Sequence, residues 1–192
     1  MNLRPLIAYT INRFNAGEFA QFYETMLEEY GASISDFRFT IEHPFGYYYQ
    51  EEPICGKGSI NEFKKKTLND IKFILNVRRN HRLKYANLVN LFYDYYLMNV
   101  QTYLGNPRRQ IIPCKACEYS AYIDPYGDVY PCIMWRKAIG SLKKNSYESI
   151  WNSSARRLAL QAIRAGKCPN CWTPCEAQHS WIMNFGPIRG WW

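Results

Sequence analysis

The chain has 192 residues, of which 47% are hydrophobic and 17% aromatic, and it carries a formal net charge of +8. This length and apolar content exclude a disordered chain and predict one ordinary domain, or two small ones, with a real core. No apolar run reaches the roughly 18 residues of a membrane span, so no membrane association is predicted.

The N-terminal sequence, MNLRPLIAYTINRF, lacks the apolar segment and the cleavage site of a secretory signal peptide. We therefore expect a cytoplasmic protein, in which paired cysteines more often hold metals than form disulfides. The basic residues are scattered in pairs and accompany no nucleic-acid recognition motif, so a nucleic-acid partner is not favoured.

The first predicted elements are a strand, a helix and a second strand. Asn15 and Glu18 have the spacing of a capping box that opens the helix, and Gly31 is placed to end it. Strand, helix and strand joined by short turns form a βαβ unit, which implies parallel neighbouring strands and an α/β fold. The predicted bounds are 6–12 for the first strand, 16–30 for the helix and 36–41 for the second strand.

The segment after the second strand, HPFGYYY, is a candidate for substrate contact. The C-terminal ends of parallel strands carry the ligand sites of α/β folds. His43 and Tyr47 are therefore candidate substrate residues. The alternative is an aromatic loop that only packs over the edge of the sheet.

Two longer helices are predicted next, and Gly105-Asn106-Pro107 interrupts the pattern after them. Ser59 and Glu62 form a capping box that opens the first of these helices, which runs to about residue 78. The second covers residues 83–104, and its predicted inner stripe is Leu91, Phe92, Tyr95 and Val100. We expect a βαβ unit over 1–57, a helical connection over 58–105 and a cysteine-rich domain over 106–192.

Six of the seven cysteines lie in this last domain, and only Cys55 lies outside it. Clustered cysteines in a reducing compartment predict a metal site. Four thiolates suit either a structural zinc or an iron–sulfur cluster, and the spacing leaves both open. The six candidate ligands are Cys114, Cys117, Cys132, Cys168, Cys171 and Cys175.

The elements around these cysteines are predicted to be a hairpin and a helix. Two short strands with a turn at Gly127 would bring Cys117 and Cys132 together at the open end of the hairpin. One helix is predicted over residues 146–165, opened by Asn145 and Glu148. Its predicted apolar side consists of Ile150, Trp151, Leu158, Leu160 and Ile163, and Gly166 is placed to end it.

The sequence CEYSAYIDPYGDVYPC, with the spacing C-x9-G-x4-C, resembles the opening signature of the SPASM and twitch domains of radical S-adenosylmethionine enzymes. The following segment resembles the same family through a glycine turn, a helix with an Ile-Trp pair, and CPNCWTPC. The resemblance covers residues 113–177. It extends more weakly to TINRFNAGEF and DFRFTIEHP, which look like late elements of a partial (βα)6 barrel.

The resemblance implies the C-terminal half of a radical SAM enzyme, with a barrel remnant followed by a hairpin-plus-helix cluster domain. It implies one auxiliary [4Fe–4S] cluster for electron transfer or substrate positioning, since no cysteine follows Cys175. By analogy with the family, Cys117 and Cys132 are the first ligands. Cys171 and Cys175 match its closing C-x3-C, Cys114 is a further candidate, and Cys168 competes for a place.

The sequence departs from the family because it has no C-x3-C-x2-C motif for the catalytic cluster. The chain is therefore not expected to be self-sufficient, and S-adenosylmethionine is expected only if an N-terminal half or partner subunit is supplied. The family acts on peptide or small-molecule substrates, and no catalytic residue is assigned here. The alternative hypothesis is a zinc-stabilised structural or interaction module without catalytic activity.

Overall fold

The computed structural model describes residues 6–43, 57–80, 88–107 and 109–185, with the side chains of residues 57–59 left out. Within these ranges the chain is mixed α/β and forms two compact units, Met1–Gly105 and Asn106–Trp192. The further division of the first unit at residue 57 stays a prediction. None of the helices in the described ranges is both long and apolar enough to cross a membrane.

The first unit contains a parallel pair of strands. β1 and β2 pair in register, with Ile7 opposite Phe37 and Ile11 opposite Ile41. This pairing confirms the predicted βαβ unit, whereas the partial barrel stays a prediction. The elements are β1 (Ile7–Ile11), α1 (Phe19–Tyr30), a 3-10 turn (Ile34–Asp36), β2 (Phe37–Ile41), α2 (Lys57–Asn80) and α3 (Leu88–Gly105).

The start of α1 differs from the prediction. The helix begins at Phe19 rather than at residue 16, and the Asn15 side chain accepts a hydrogen bond from the Asn12 backbone at 2.8 Å instead of capping the helix. The free N–H groups at this end are satisfied by Asp70 of α2. Its carboxylate accepts from the backbone of Gly17 at 2.7 Å and of Phe19 at 3.3 Å. A buried carboxylate from another helix thus caps α1.

Phe19 is also the centre of an aromatic core in this unit. Its ring is fully buried and lies 4.9 Å from Tyr9, 5.2 Å from Phe39 and 5.5 Å from Phe37, in edge-to-face arrangements. Such pairs stabilise the fold beyond their area burial. α1 ends as predicted at Gly31, whose φ of +62° is left-handed.

The predicted capping box at Ser59 and Glu62 is wrong, because α2 already includes Lys57 and both residues lie inside the helix. The predicted start of α3 at residue 83 lies outside the described residues.

The inner face of α3 is only partly as predicted. Leu91 is 43% exposed, whereas Tyr96 and Leu97 are fully buried. An ion pair between Arg78 of α2 and Asp94 of α3 joins the two helices. The apolar stripe is therefore rotated from the predicted one, because the helix buries the side that faces α2.

The second unit contains a small antiparallel sheet. β3 pairs with β4, and Gly127 between them has a φ of +83°, which confirms the predicted hairpin. β4 also pairs with β5, a strand that the sequence did not predict. The elements are β3 (Tyr122–Ile123), β4 (Asp128–Tyr130), β5 (Gly140–Ser141), α4 (Tyr147–Trp151), α5 (Ser154–Arg164) and α6 (Pro174–Phe185).

The single helix predicted over residues 146–165 is wrong, because two helices occupy this range. Ser146 caps α4 by accepting from the Ser149 backbone at 3.2 Å, and Ser153 caps α5 by accepting from the Arg156 backbone at 3.1 Å. The predicted Asn145 cap is therefore one residue too early. Leu158 was predicted to lie on the apolar side of the single helix. It is 66% exposed, because the break between α4 and α5 rotates the buried face of α5 away from it.

α5 ends in a Schellman motif at Gly166, as the sequence predicted for this glycine. The Lys167 backbone donates to the Ala162 carbonyl at 2.8 Å, and Gly166, with a φ of +67°, donates to the Ile163 carbonyl at 3.0 Å. This sharp stop turns the chain directly into the CPNC segment.

Candidate metal centre

The first cysteine-bearing loop runs from residue 109 to β3. In this loop the Lys115 backbone donates to the Ser180 hydroxyl of α6 at 2.9 Å, next to Cys114. Cys117 has a φ of +63°, and its backbone donates to the Ser120 carbonyl at 2.9 Å. The loop therefore turns tightly after Cys114 and continues into β3.

Cys132 follows β4 by two residues and is 6% exposed. Its carbonyl accepts from the Trp135 backbone at 3.1 Å, which forms a turn immediately after the strand. Val129 of β4 is fully buried beneath this turn. The hairpin therefore fixes Cys132 at its open end.

Cys168 and Cys171 lie in the segment between α5 and α6. The Cys168 thiol donates to the Asn170 side chain at 3.1 Å and accepts from the Gln110 amide at 3.6 Å. The same Gln110 amide donates to the Ile163 carbonyl at 2.8 Å. These contacts attach the CPNC segment both to the end of α5 and to the first loop.

One cavity of about 40 Å³ collects four of the six candidate cysteines. It is larger than the roughly 10–15 Å³ that a single water needs. Apolar side chains form much of its wall. The lining residues are Gln110, Ile111, Ile112, Cys114, Ala116, Cys132, Met134, Ile163, Cys168, Pro169, Asn170, Cys171, Trp172, Glu176, Ala177 and Ser180.

Cys117 and Cys175 are not among the lining residues of this cavity. The Cys117 thiol is buried and donates to the Arg156 carbonyl of α5 at 3.8 Å. Cys175 is exposed. The structure therefore brings together Cys114, Cys132, Cys168 and Cys171, and places the other two predicted ligands elsewhere.

The cavity strongly disfavours thiolates in the absence of a cation. Burial raises the pKa of Cys114 to about 11 and that of Cys171 to about 12, and the neighbouring acidic groups add to both shifts. Burial also raises the pKa of Cys132 strongly. A bound cation would reverse this preference, because metal ligation deprotonates cysteine thiols.

Glu176, in the first turn of α6, is a fifth donor group in the cavity that we did not predict. It is 9% exposed and accepts a hydrogen bond from the Ser120 hydroxyl at 3.4 Å. Burial raises the pKa of its carboxyl to about 6. The sequence T-P-C-E indicates only the start of α6, where Thr173 accepts from the Glu176 backbone at 3.5 Å and Pro174 suits the first helical position.

The donor set fits an iron–sulfur cluster better than a single ion. Within the described ranges, no group of three or more His, Cys, Asp or Glu side chains lies close enough together to hold one metal ion. Four thiols nevertheless surround one cavity. Zinc would need its sulfurs about 2.3 Å from one point, whereas the thiolates of a cluster bind separate iron atoms.

The candidate substrate residues belong to the first unit. His43 lies two residues after β2, and its ring packs edge-to-face against Tyr103 at 5.5 Å. Its Nε2 is buried and has no hydrogen-bond partner among the described residues, and burial lowers the pKa of the imidazole to about 4. Tyr47 lies outside the described residues, and the predicted substrate role of both side chains stays a prediction.

Comparison with known families finds a match within the second unit. Residues 114–186 match SPASM, an iron-sulfur cluster-binding domain. The match contains all six candidate cysteines and Glu176. No curated protein and no solved structure matches the chain. The match supports iron–sulfur cluster binding in the C-terminal region, as the sequence predicted.

Proposed function

We propose that this chain is the auxiliary iron–sulfur part of a radical SAM-type enzyme, and that its second unit binds one [4Fe–4S] cluster. The observation that carries the proposal is the convergence of four cysteines on one cavity inside the SPASM match. These cysteines come from three segments of the second unit: the loop before β3, the turn after β4 and the segment between α5 and α6. Convergence of this kind serves no evident packing purpose, whereas a tetrathiolate centre requires it.

The position of each thiol supports a particular ligand set. Cys114, Cys132, Cys168 and Cys171 would each bind one iron of the cluster from the wall of the cavity. Cys117 and Cys175 remain predicted ligands from the sequence, but neither borders the cavity.

The bound cluster would supply one-electron transfer, and the surrounding residues would control its environment. Ile112, Met134 and Trp172 are buried and would exclude water from the centre. Gln110 donates toward the Cys168 sulfur, and hydrogen bonds to ligand sulfurs tune the potentials of iron–sulfur centres. The alternative role is to position a peptide or small-molecule substrate.

The first unit belongs to the proposal as a remnant of a partial (βα)6 barrel. Its parallel β1–α1–β2 arrangement supports this assignment. An N-terminal radical SAM half or a partner subunit would then supply S-adenosylmethionine binding, and His43 and Tyr47 would face the substrate. The cytoplasmic location stays a prediction that agrees with the six free thiols of the second unit.

The test is the metal content of protein purified without oxygen. We expect a brown protein with about four irons and about four sulfides per chain. A colourless protein with stoichiometric zinc and no sulfide would contradict the proposal and favour the zinc module.

Cysteine variants then test the ligand set. Cys132→Ala should lose most of the iron, whereas Cys117→Ala and Cys175→Ala should keep it. Cys175→Ala is the matched control, because it removes an exposed thiol from the same domain. Loss of iron from Cys117→Ala would instead support the ligand role that the family spacing implies.

A further inference from the structure

The carboxylate of Glu176 is buried beside the thiols without a cationic partner. No Lys, Arg or His side chain within the described ranges forms an ion pair with it, and the Ser120 hydroxyl is its hydrogen-bond donor. An isolated carboxylate in an apolar cavity costs several kcal/mol unless a cation or hydrogen bonds compensate it. Its position therefore calls for a positive group inside the cavity.

Three thiols share this environment with Glu176. Glu176 lines the same cavity as Cys114, Cys132 and Cys171. The carboxylate is thus part of one buried donor group with these three thiols. Cys168 lines the same cavity, but its thiol exchanges hydrogen bonds with Asn170 and Gln110.

Glu176 is held in this position by its helix rather than by a surface contact. It lies in the first turn of α6, where its backbone N–H donates to Thr173. The Ser120 contact spans 56 residues of sequence and keeps the side chain in the cavity. A freely placed acidic residue would instead turn toward solvent, since burial of its charge is costly.

Resting on the proposed function, we propose that Glu176 is a ligand of the iron–sulfur centre. Cys114, Cys132 and Cys171 supply three thiolates, and the Glu176 carboxylate binds the remaining iron in competition with the Cys168 thiolate. Carboxylate oxygen is an established iron ligand in proteins, and it is harder than thiolate. The cavity therefore offers the fourth iron two protein donors, Cys168 and Glu176, and either one retains the cluster when the other is absent.

The experiment compares single and double variants after anaerobic reconstitution with iron and sulfide. Cys168→Ala and Glu176→Gln should each keep more than half of the wild-type iron. The iron content of the double variant Cys168→Ala/Glu176→Gln should fall at least tenfold, to the level of Cys132→Ala. The matched control is Cys168→Ala/Glu148→Gln, which removes an exposed carboxylate of α4 and should keep the iron of Cys168→Ala.

A spectroscopic measurement separates ligation from folding. Mössbauer spectra of Cys168→Ala containing ⁵⁷Fe should reveal one iron with an oxygen ligand. Electron paramagnetic resonance of the reduced cluster in ¹⁷O-labelled water should show no broadening, which identifies this oxygen as the protein's and not the solvent's. Loss of iron from Cys168→Ala alone overturns the proposal, and so does full iron content in the double variant. Absence of iron from the wild-type chain overturns the proposed function itself, whereas iron in the wild type with an empty Cys168→Ala overturns only the role of Glu176.

Discussion

The backbone carbonyl of Cys117 accepts a hydrogen bond from Nε of Arg156 at 2.9 Å, and the Cys117 thiol donates to the Arg156 carbonyl at 3.8 Å. This reciprocal pair joins the first cysteine loop to α5. It occurs where Cys117 has a left-handed backbone with a φ of +63°, which costs a residue with a side chain roughly 1–2 kcal/mol. The Arg156 guanidinium also lies 4.4 Å from the centre of the Trp151 ring.

Arg156→Ala should therefore destabilise the second unit by about 2 kcal/mol. The variant loses a charge-assisted hydrogen bond and a cation–π contact, which contribute about 1.5–3 and about 0.5–1 kcal/mol in proteins. Tryptophan fluorescence during urea unfolding measures this unit alone, because all six tryptophans follow residue 105. The control is Arg157→Ala, whose exposed guanidinium contacts the Asn152 carbonyl and whose loss should cost less than about 0.5 kcal/mol. Equal losses of unfolding free energy in the two variants would show that Arg156 contributes no more to stability than Arg157.

Asp70→Ala should lower the free energy of unfolding of the first unit by about 1–3 kcal/mol. The variant leaves the backbone N–H groups of Gly17 and Phe19 without their acceptor at a partly buried helix end. Far-UV circular dichroism during urea unfolding reports the helices of both units, and the part of its transition that tryptophan fluorescence does not share belongs to the first unit. Glu18→Ala is the control, since Glu18 occupies the cap position of α1 without a side-chain cap hydrogen bond. If Glu18→Ala is as costly as Asp70→Ala, the long-range cap is not what stabilises α1.

Acid should destabilise the first unit through His43. Above about pH 7 the imidazole is neutral in both the folded and the unfolded state and has no effect. Burial lowers the folded-state pKa from 6.5 to about 4, so on acidification the unfolded state takes up a proton first. The free energy of unfolding should then fall by about 2–3 kcal/mol between pH 6.5 and about pH 4.

The measurement for His43 is the difference in unfolding free energy between the wild type and His43→Gln, taken at about pH 7.5 and about pH 4.5. Carboxylates that titrate in the same range are common to both proteins, so their effect cancels. The wild type should lose more stability than the variant. Equal losses of stability in the wild type and the variant would show that the imidazole is accessible to protons in the folded state.

Gly140→Ala should destabilise the second unit by about 1–3 kcal/mol through overpacking. A Cβ at this position would lie 2.7 and 2.8 Å from the two branches of the buried Ile150 side chain. Ile150→Ala, which removes both Cγ atoms, should recover part of the loss in the same chain, and the two changes should be non-additive in a double-mutant cycle. If tryptophan fluorescence shows additive losses of unfolding free energy, the strain does not arise from the contact between the new Cβ and Ile150.

Much of the local structure could be predicted because short-range chemistry determines it. The β1–β2 pairing was predicted from two apolar runs that flank one helix. The turn at Gly127 was predicted because glycine adopts a positive φ at little cost, and its φ is indeed +83°. The break between α4 and α5 was missed, although Asn152-Ser153-Ser154 contains poor helix formers that favour caps. The apparent capping box at residues 15–18 misled because an equally plausible local turn uses the same asparagine.

The site could be predicted only as a set of candidates. Spacing identified the six cysteines, but it did not indicate which thiols point into one cavity, because that depends on the Schellman end of α5 and the placement of α6. The cap of α1 by Asp70 spans more than 50 residues, so no local pattern contains it. Glu176 was overlooked for the same reason, since its burial beside the cysteines exists only in the folded unit.

The cavity draws its thiols from three places in the chain, and 35 residues separate the second, Cys132, from the third, which begins at Cys168. A group bonded to both sides acts as a cross-link that closes a loop containing β5, α4 and α5. Closing a loop of this length lowers the conformational entropy of the unfolded chain. The folded state is thereby stabilised by about 3–4 kcal/mol, as it would be by a disulfide. A cluster bound as proposed would therefore also stabilise the fold of the second unit, and its loss would free the segment between Cys132 and Cys168 from this cross-link.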